Sequence, residues 1–221
     1  GFNNDAVIKN MKLDSDASRF DLYIKEELYG SFEVPLFGKH MVSDAVAAIL
    51  ICRHIGIEKE VIYNALKTFK NAKRRFAISR VGRTIIVDDY AHHPTEIKST
   101  LEAVRQRFPD KRVVVVFKPN TYSRTIDFKD DFIDALNVAD KAFLTEIDCN
   151  REKQEDYPGV NSQIIIDGLR DGELISEETI DKLVPELDSV ICFMSCAYID
   201  GLVRALGELE DRISQEEKEE M

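Results

Sequence analysis

The 221-residue chain has no tryptophan, only 10 glycines and 6 prolines, and 4 cysteines. So little glycine and proline excludes collagen-like and low-complexity character. Cys52, Cys149, Cys192 and Cys196 lack the paired spacing of a disulfide framework or a zinc site. Cys192-Phe-Met-Ser-Cys196 has one residue too many for a thioredoxin-like motif and follows an apolar run, so reduced, mostly core thiols are expected. No apolar stretch approaches the ~20 residues of a bilayer-spanning helix, and no leader peptide is evident. A cytoplasmic protein with no membrane partner is the expectation. Positive charge is short as well. The chain has 30 Lys and Arg against 41 Asp and Glu, a net charge of −11, which argues against nucleic acid as a partner. Residues 71–125 depart from this balance, with 12 basic and 5 acidic side chains. A basic middle in an acidic protein suits a local anionic ligand, phosphate being the commonest, although a solvated basic face would look the same.

What is present reads as two regions. In the first, Phe20-Asp-Leu-Tyr-Ile-Lys25 and Gly30-Ser-Phe-Glu-Val-Pro-Leu-Phe37 alternate apolar and polar residues around Tyr29-Gly30, which predicts a hairpin turning there. Val42, Ala45, Val46, Ile49 and Leu50 then make a helical stripe, and a short helix is expected from Glu58 to Phe69. These pieces suggest few strands and no closed core, as though the chain began inside a domain.

In the second region, apolar runs at 84–89, 112–117, 141–146, 173–175 and 189–194 predict buried strands. Helices are expected at Pro94 to Arg107, Ser123 to Leu136, Ser162 to Leu169, Glu177 to Leu187 and Ile199 to Leu209. Continuous apolar strands alternating with helices mean an α/β fold: a Rossmann-like, doubly wound, mostly parallel sheet covered on both faces. Such sheets bind ligands beyond the carboxyl ends of their strands. The tail from Glu208, with seven acids and two bases, is expected to fray.

Two loops at those carboxyl ends concentrate chemistry. Asp88-Asp-Tyr-Ala-His-His-Pro-Thr-Glu96 holds three acids, a phenol and two imidazoles. Pro94, Thr95 and Glu96 suit a helix start, whereas the histidines have no such account. Adjacent histidine side chains diverge, so no metal site is assigned; a ligand site and a cap with packing both remain open. Phe117-Lys-Pro-Asn-Thr-Tyr-Ser-Arg-Thr125 offers a cation, an amide, hydroxyls and Arg124, whose fork fits a carboxylate or phosphate. A polar loop capped by Thr121 or Ser123 would account for all but Arg124. Lys73-Arg-Arg-Phe76, just before the first strand of the sheet, is weak evidence alone.

Taken together in this order and spacing, these three segments resemble the Mur ligases. Gly38-Lys-His-Met-Val-Ser-Asp-Ala45 is similar to their Gly-x-His-Asn-x-x-Asn-Ala motif. The resemblance implies a three-domain enzyme that uses ATP and Mg2+ to form an amide bond through an acyl phosphate. The sequence contains no Gly-x-x-x-x-Gly-Lys-Ser/Thr loop, so residues 1–73 are expected to be the end of the central ATPase domain, a partial α/β segment, and residues 74–221 the Rossmann-like C-terminal domain. Tyr90 and Glu96 favour the branch that joins L-alanine to UDP-N-acetylmuramate. A peptide-adding recycling ligase and a non-catalytic nucleotide- or partner-binding paralogue are the other readings. By resemblance, Asp89 holds the ribose hydroxyls, Arg75 the ATP phosphates, and His40 and Asp44 neighbour adenine. Tyr90 and His92 lie beside the reacting centre, and Arg124, with Asn120 in its loop, takes the amino-acid substrate. The chain departs from the family pattern at Asp44, Lys118 and Asn120. It also has Ser195-Cys-Ala-Tyr-Ile199 in place of a Gly-Ala-Gly-Asp/Asn-Ile turn, losing glycines that would permit positive φ.

Overall fold

The computed structural model describes residues 5–219. The chain divides into two compact units, one of Gly1–Asn71 with Glu102–Pro109 and one of Ala72–Leu101 with Asp110–Met221.

The first unit is built on three antiparallel strands in the order β1 (Ala6–Leu13), β2 (Ser18–Ile24) and β3 (Glu27–Val34), followed by α1 (Lys39–His54) and α2 (Lys59–Lys67). The hairpin turns at Lys25 and Glu26, both with positive φ (49° and 69°), and not at Tyr29-Gly30 as the sequence suggested. Paired positive φ values match the twist of the flanking strands, and here ordinary residues adopt them without help from glycine. Tyr29 is instead the extra residue of a bulge in β3: Leu22 faces Gly30 and Tyr23 faces Leu28. The region also closes a core, contrary to expectation. Phe20, Leu22, Phe32 and Val34 of the sheet bury against Val42, Ala45, Val46 and Ile49 of α1 and Ile62 of α2. Within this unit Gln106 donates to the Asp14 carbonyl (2.9 Å) and accepts from the Gly38 N–H (2.7 Å). Gly38 opens α1 at φ 94°, where an added Cβ would lie 2.6 Å from the His40 ring.

The second unit is a six-stranded sheet in the order β4 (Ala77–Val81), β5 (Thr84–Asp89), β9 (Val190–Met194), β6 (Val113–Phe117), β7 (Lys141–Leu144) and β8 (Gly172–Leu174). All pairings are parallel except that of β4 with β5. The last strand, β9, inserts between β5 and β6. Helices cover both faces. On one face Ile86, Val114, Val116, Ile191 and Phe193 pack with Leu183 of the 3₁₀ stretch Glu177–Glu186 and with Ile199, Leu202, Leu206 and Leu209 from and just before α7 (Asp200–Glu219). The alternating residues face the other way. There Phe117 packs on Phe132 of α5 (Lys129–Leu136) at 5.3 Å between rings; Ile97 and Leu101 of α3 (Pro94–Arg107) are buried. α6 is a single turn, Gln163–Ile166.

Two expected helices and the tail come out differently. The stretch 123–136 divides at Phe128 into α4 (Tyr122–Asp127) and α5, where Phe128 sits edge-on to His93 at 4.8 Å. Residues 177–186 form 3₁₀ structure, broken at Thr179 and carrying Pro185, which has no N–H to give. The tail is helical through Glu219 because it has packing partners. Leu209 and Glu210 are buried, Ile213 packs on the core, and Thr84 donates its hydroxyl to Glu210 at 2.5 Å.

Candidate functional site

The carboxyl edge of the parallel sheet brings the loop after β5, the loop after β6 and the turn after β9 together. Asp89, the last residue of β5, is 6% exposed. One of its oxygens accepts the Ala91 N–H (2.8 Å) and the Thr100 hydroxyl (3.4 Å), the other the Phe76 N–H (2.7 Å). Burial pushes the Asp89 carboxyl above its usual range despite these bonds. Asp88 is raised as well, by burial first, with the neighbouring Arg74 pulling the other way. Glu96 accepts both the His92 and His93 N–H groups, at 3.0 and 3.1 Å, and so caps α3. Burial favours its neutral form, but those two bonds and the nearby His92 win and hold it below the ordinary glutamate value.

Tyr90 stands between two guanidiniums, with Arg74 and Arg75 over its ring at 5.5 and 5.4 Å, and meets the His92 ring edge-on at 5.5 Å. His92 Nδ1 lies 3.0 Å from the Tyr90 carbonyl and 3.2 Å from Glu96. Both are acceptors, so Nδ1–H is the donor to them. Arg74 reaches across to β9: its Nη2 donates to the carbonyls of Ser195 (2.6 Å) and Ala197 (3.0 Å). The sequence singled out Arg75 and missed this neighbour. Three adjacent bases carry no signal of which one bridges to a turn 120 residues away.

The loop after β6 is held by the loop after β7. Thr121 donates its N–H to the Asp148 carbonyl (2.9 Å), and Asp148 donates to the Pro119 carbonyl (2.9 Å), leaving Asn120 bridged to Asp148. Thr121 has φ 69°, a strained value for a β-branched residue. Neither Thr121 nor Ser123 caps α4, the arrangement that the polar-cap reading of this loop would give. The cap is Glu152, which accepts the N–H groups of Tyr122 (2.6 Å) and Ser123 (3.1 Å) and the Ser123 hydroxyl. These bonds outweigh burial and keep Glu152 below its ordinary pKa. Lys118 pairs with Asp148 (3.5 Å) and donates to the Tyr198 carbonyl (3.2 Å).

Arg124 is the exception in this loop. Its Nη1 is buried with no hydrogen-bond partner. Asp127 and Asp130, the acids nearest in sequence, make no ion pair with it among the described residues. Such an orphaned donor is costly unless a ligand satisfies it. Cys196 lies close enough to feel the guanidinium; burial raises its thiol pKa and Arg124 opposes the rise. The turn Ser195–Ile199 needs no glycine after all. None of its residues is among those with positive φ, and the Ser195 hydroxyl accepts from Ala197 N–H (3.0 Å) while donating to the Lys118 carbonyl (3.3 Å).

Of the residues the sequence singled out, Arg75, Asp89, Tyr90, His92, Asn120 and Arg124 thus share one unit and one sheet edge. His40 and Asp44 lie on the first two turns of α1 in the other unit. Among the described residues no three His, Cys, Asp or Glu side chains converge to hold a metal ion.

An open, mostly parallel sheet thus carries loops rich in carboxylate, imidazole and guanidinium groups at its carboxyl edge. Residues 74–194 match the family described as Mur ligase, glutamate ligase domain, and the chain belongs to that family. It is 38% identical over 212 residues to the UDP-N-acetylmuramate–L-alanine ligase of Levilactobacillus brevis, covering 96% of this chain and 47% of that protein. It is 35% identical over 213 residues to the ligase of the same name from Lactococcus lactis subsp. lactis, covering 96% and 48%. The chain therefore spans about half the length of the curated relatives it matches. The fold is shared with the crystal structure of the UDP-N-acetylmuramate–alanine ligase of Thermotoga maritima. There the TM-score is 0.77 at 20% identity, over 96% of this chain and 47% of that one. A MurF ligase of the same organism, solved with ADP, has a TM-score of 0.69 at 18% identity over 94% and 47%.

Proposed function

We propose that the chain is the C-terminal half of an ATP-dependent ligase that joins L-alanine to UDP-N-acetylmuramate. The observation that carries this reading is the buried, unpartnered Nη1 of Arg124 at the carboxyl edge of the sheet. A guanidinium held there without an acid of its own is prepared for a ligand's carboxylate, and a free amino acid supplies one. The relatives' names give the amino acid as alanine.

In the reaction, ATP phosphorylates the muramyl carboxylate, the amine of alanine attacks the acyl phosphate, and ADP and phosphate leave. Mg2+ bound with ATP would neutralise charge on the phosphates. Arg124 clasps the alanine carboxylate and so aims the amine, with Asn120 beside it. His92, its Nδ1 proton directed at the Tyr90 carbonyl, offers Nε2 to take the proton that the amine must lose. Tyr90 lines the same place. Arg75 takes the ATP phosphates, held out by its stack on Tyr90. Asp89 already accepts three hydrogen bonds, which leaves one of a carboxylate's roughly four acceptor sites for a ribose hydroxyl. His40 and Asp44 of α1 neighbour adenine. Residues 1–73 belong in this reading to the central ATPase domain and 74–221 to the C-terminal domain.

The decisive experiment is ADP release by the full-length protein with ATP, Mg2+ and UDP-N-acetylmuramate against a panel of amino acids and peptides. L-alanine is expected to give the highest kcat/KM. A preference for peptides would assign the recycling reaction, and no ADP release with any acceptor would leave a binding paralogue. The 221 residues alone should release none, since no phosphate-cradling loop is encoded in them.

A further inference from the structure

A cleft of about 510 Å3 opens at the carboxyl edge of the second unit. The loop after β7, the end of β8 with the 3₁₀ start that follows it, and the turn from β9 into α7 form its walls. Ile175, Ile199 and Leu202, all buried, make its inside apolar. Of the loop after β6, which carries Arg124, Lys118 alone lines it. Lys118 is anchored at both ends. Its N–H donates to the Met194 carbonyl (3.1 Å), and its own carbonyl accepts from the Ser195 hydroxyl (3.3 Å). Its side chain is 26% exposed, and the ammonium pairs with Asp148 (3.5 Å) and donates to the Tyr198 carbonyl (3.2 Å). Asp148 and Tyr198 both line the cleft, so the lysine spans from one wall to another. Cys196, in the same turn as Tyr198, lies within reach of the charges of Arg124 and Asp148 alike. The Lys118–Asp148 pair therefore stands next to the place that Arg124 serves, on the side of the cleft.

We propose that Lys118 sets the size of the acceptor's side chain by barring this cleft to anything much larger than the methyl group of alanine. The inference rests on the ligase reading above and deepens it. An amino acid gripped by its carboxylate at Arg124 leaves its side chain free to enter open space nearby. Alanine brings one methyl group, whereas a cleft of this size would hold a far longer chain. An apolar cleft left open gains affinity with each methylene that enters it, so it would favour larger acceptors over alanine. Selecting a small side chain takes a group that stands in the way of larger ones. Lys118 is the group that the Arg124 loop places there. Its backbone is tied to β9 and the residue after it, and its ammonium is held on both sides, so it is fixed where an unattached surface lysine would swing aside.

The test measures ADP release by the full-length protein with L-alanine and with L-norleucine, whose straight side chain reaches well past the methyl group. In Lys118→Ala the kcat/KM of L-norleucine relative to L-alanine should rise at least about tenfold, the selectivity that a single methylene can carry. Lys118→Ser should show the same rise should the alanine variant fold poorly, and circular dichroism melts check each protein. Lys118→Arg, long enough to reach Asp148 and the Tyr198 carbonyl, should keep the parent ratio. A ratio unchanged in Lys118→Ala and Lys118→Ser overturns the proposal. So does an equal fall for both amino acids, which a merely structural lysine would give, or a rise that Lys118→Arg shares. Titration calorimetry of the same two amino acids separates the gate from the ligase reading. A protein that releases no ADP, yet gains affinity for L-norleucine in Lys118→Ala, sinks the ligase reading alone. A protein that uses L-alanine with a ratio indifferent to Lys118 sinks the gate alone. Neither ADP release nor a change in binding sinks both.

Discussion

The loops after β5 and β6 leave the same edge of the same sheet and treat their polar groups in opposite ways. After β5, each strong acceptor is occupied from within: Asp89 by Phe76, Ala91 and Thr100, and Glu96 by His92 and His93. After β6, the backbone is equally well tied, by Glu152 and Asp148, but the Arg124 guanidinium keeps a buried donor with no partner. The first loop is a frame and the second is a hand held open. Side chains bonded internally contribute stability, and in the proposed function a ligand would meet the leftover donor of Arg124 and the remaining acceptor site of Asp89.

This contrast can be broken most directly at Asp89. Asp89→Ala orphans two buried backbone N–H groups and should cost about 2–4 kcal/mol in urea unfolding. A loss under ~0.5 kcal/mol would mean that the frame does not depend on it.

Arg124 should behave in the reverse manner. In the full-length enzyme Arg124→Lys is expected to raise the alanine KM about ten- to a hundredfold, with the ATP KM unchanged, because a bidentate contact becomes a point charge. Arg124→Met should leave the melting temperature unchanged or raise it slightly, since an unpaired buried donor is removed. A clear destabilisation by Arg124→Met with the alanine KM of Arg124→Lys unaltered would make the arginine a structural residue.

Glu152→Ala tests whether the second loop's backbone needs its cap. About 1 kcal/mol of stability should be lost, with a several-fold increase in alanine KM and little change in ATP KM. A fall in kcat alone would point elsewhere.

The smallest effect is expected at Glu96, whose side chain is 42% exposed. Its folded pKa is depressed, so its contribution is present above the unfolded value near 4.5 and fades as pH falls through the lower folded value. The melting temperatures of the parent and Glu96→Gln should therefore differ slightly at pH 7 and converge near pH 3. A gap that stays constant with pH would remove the cap's charge from the account.

Much of the frame was legible in the sequence. β5, β6 and β9 are continuous apolar runs, which only a strand buried on both faces needs, and α3 begins at the proline that fixes its first turn. β1 and β4, edge strands both, were not legible. β1 is largely exposed and β4 reads Ala-Ile-Ser-Arg-Val, so neither shows a clean alternation. The Lys25-Glu26 turn was hidden because the usual residues for positive φ are absent from it. At the site, residue types and order gave the loops, and the family resemblance gave their roles. Partners supplied from distant segments were out of reach: Glu152 on α4, Ser195 and Ala197 on Arg74, Phe76 on Asp89. Local patterns cannot show them, because the fold makes those contacts.

The position of β9 sets the order in which the chain can assemble. β5 and β6 never touch as ladder partners; the strand between them is β9, which is about a hundred residues downstream of β5. Until Val190–Met194 leave the ribosome, the nascent chain carries two apolar strands with raw edges and a gap between them. Synthesis stalled before residue 190 would leave a species prone to pair with its neighbours, and the last strand closes the sheet like a key course in masonry.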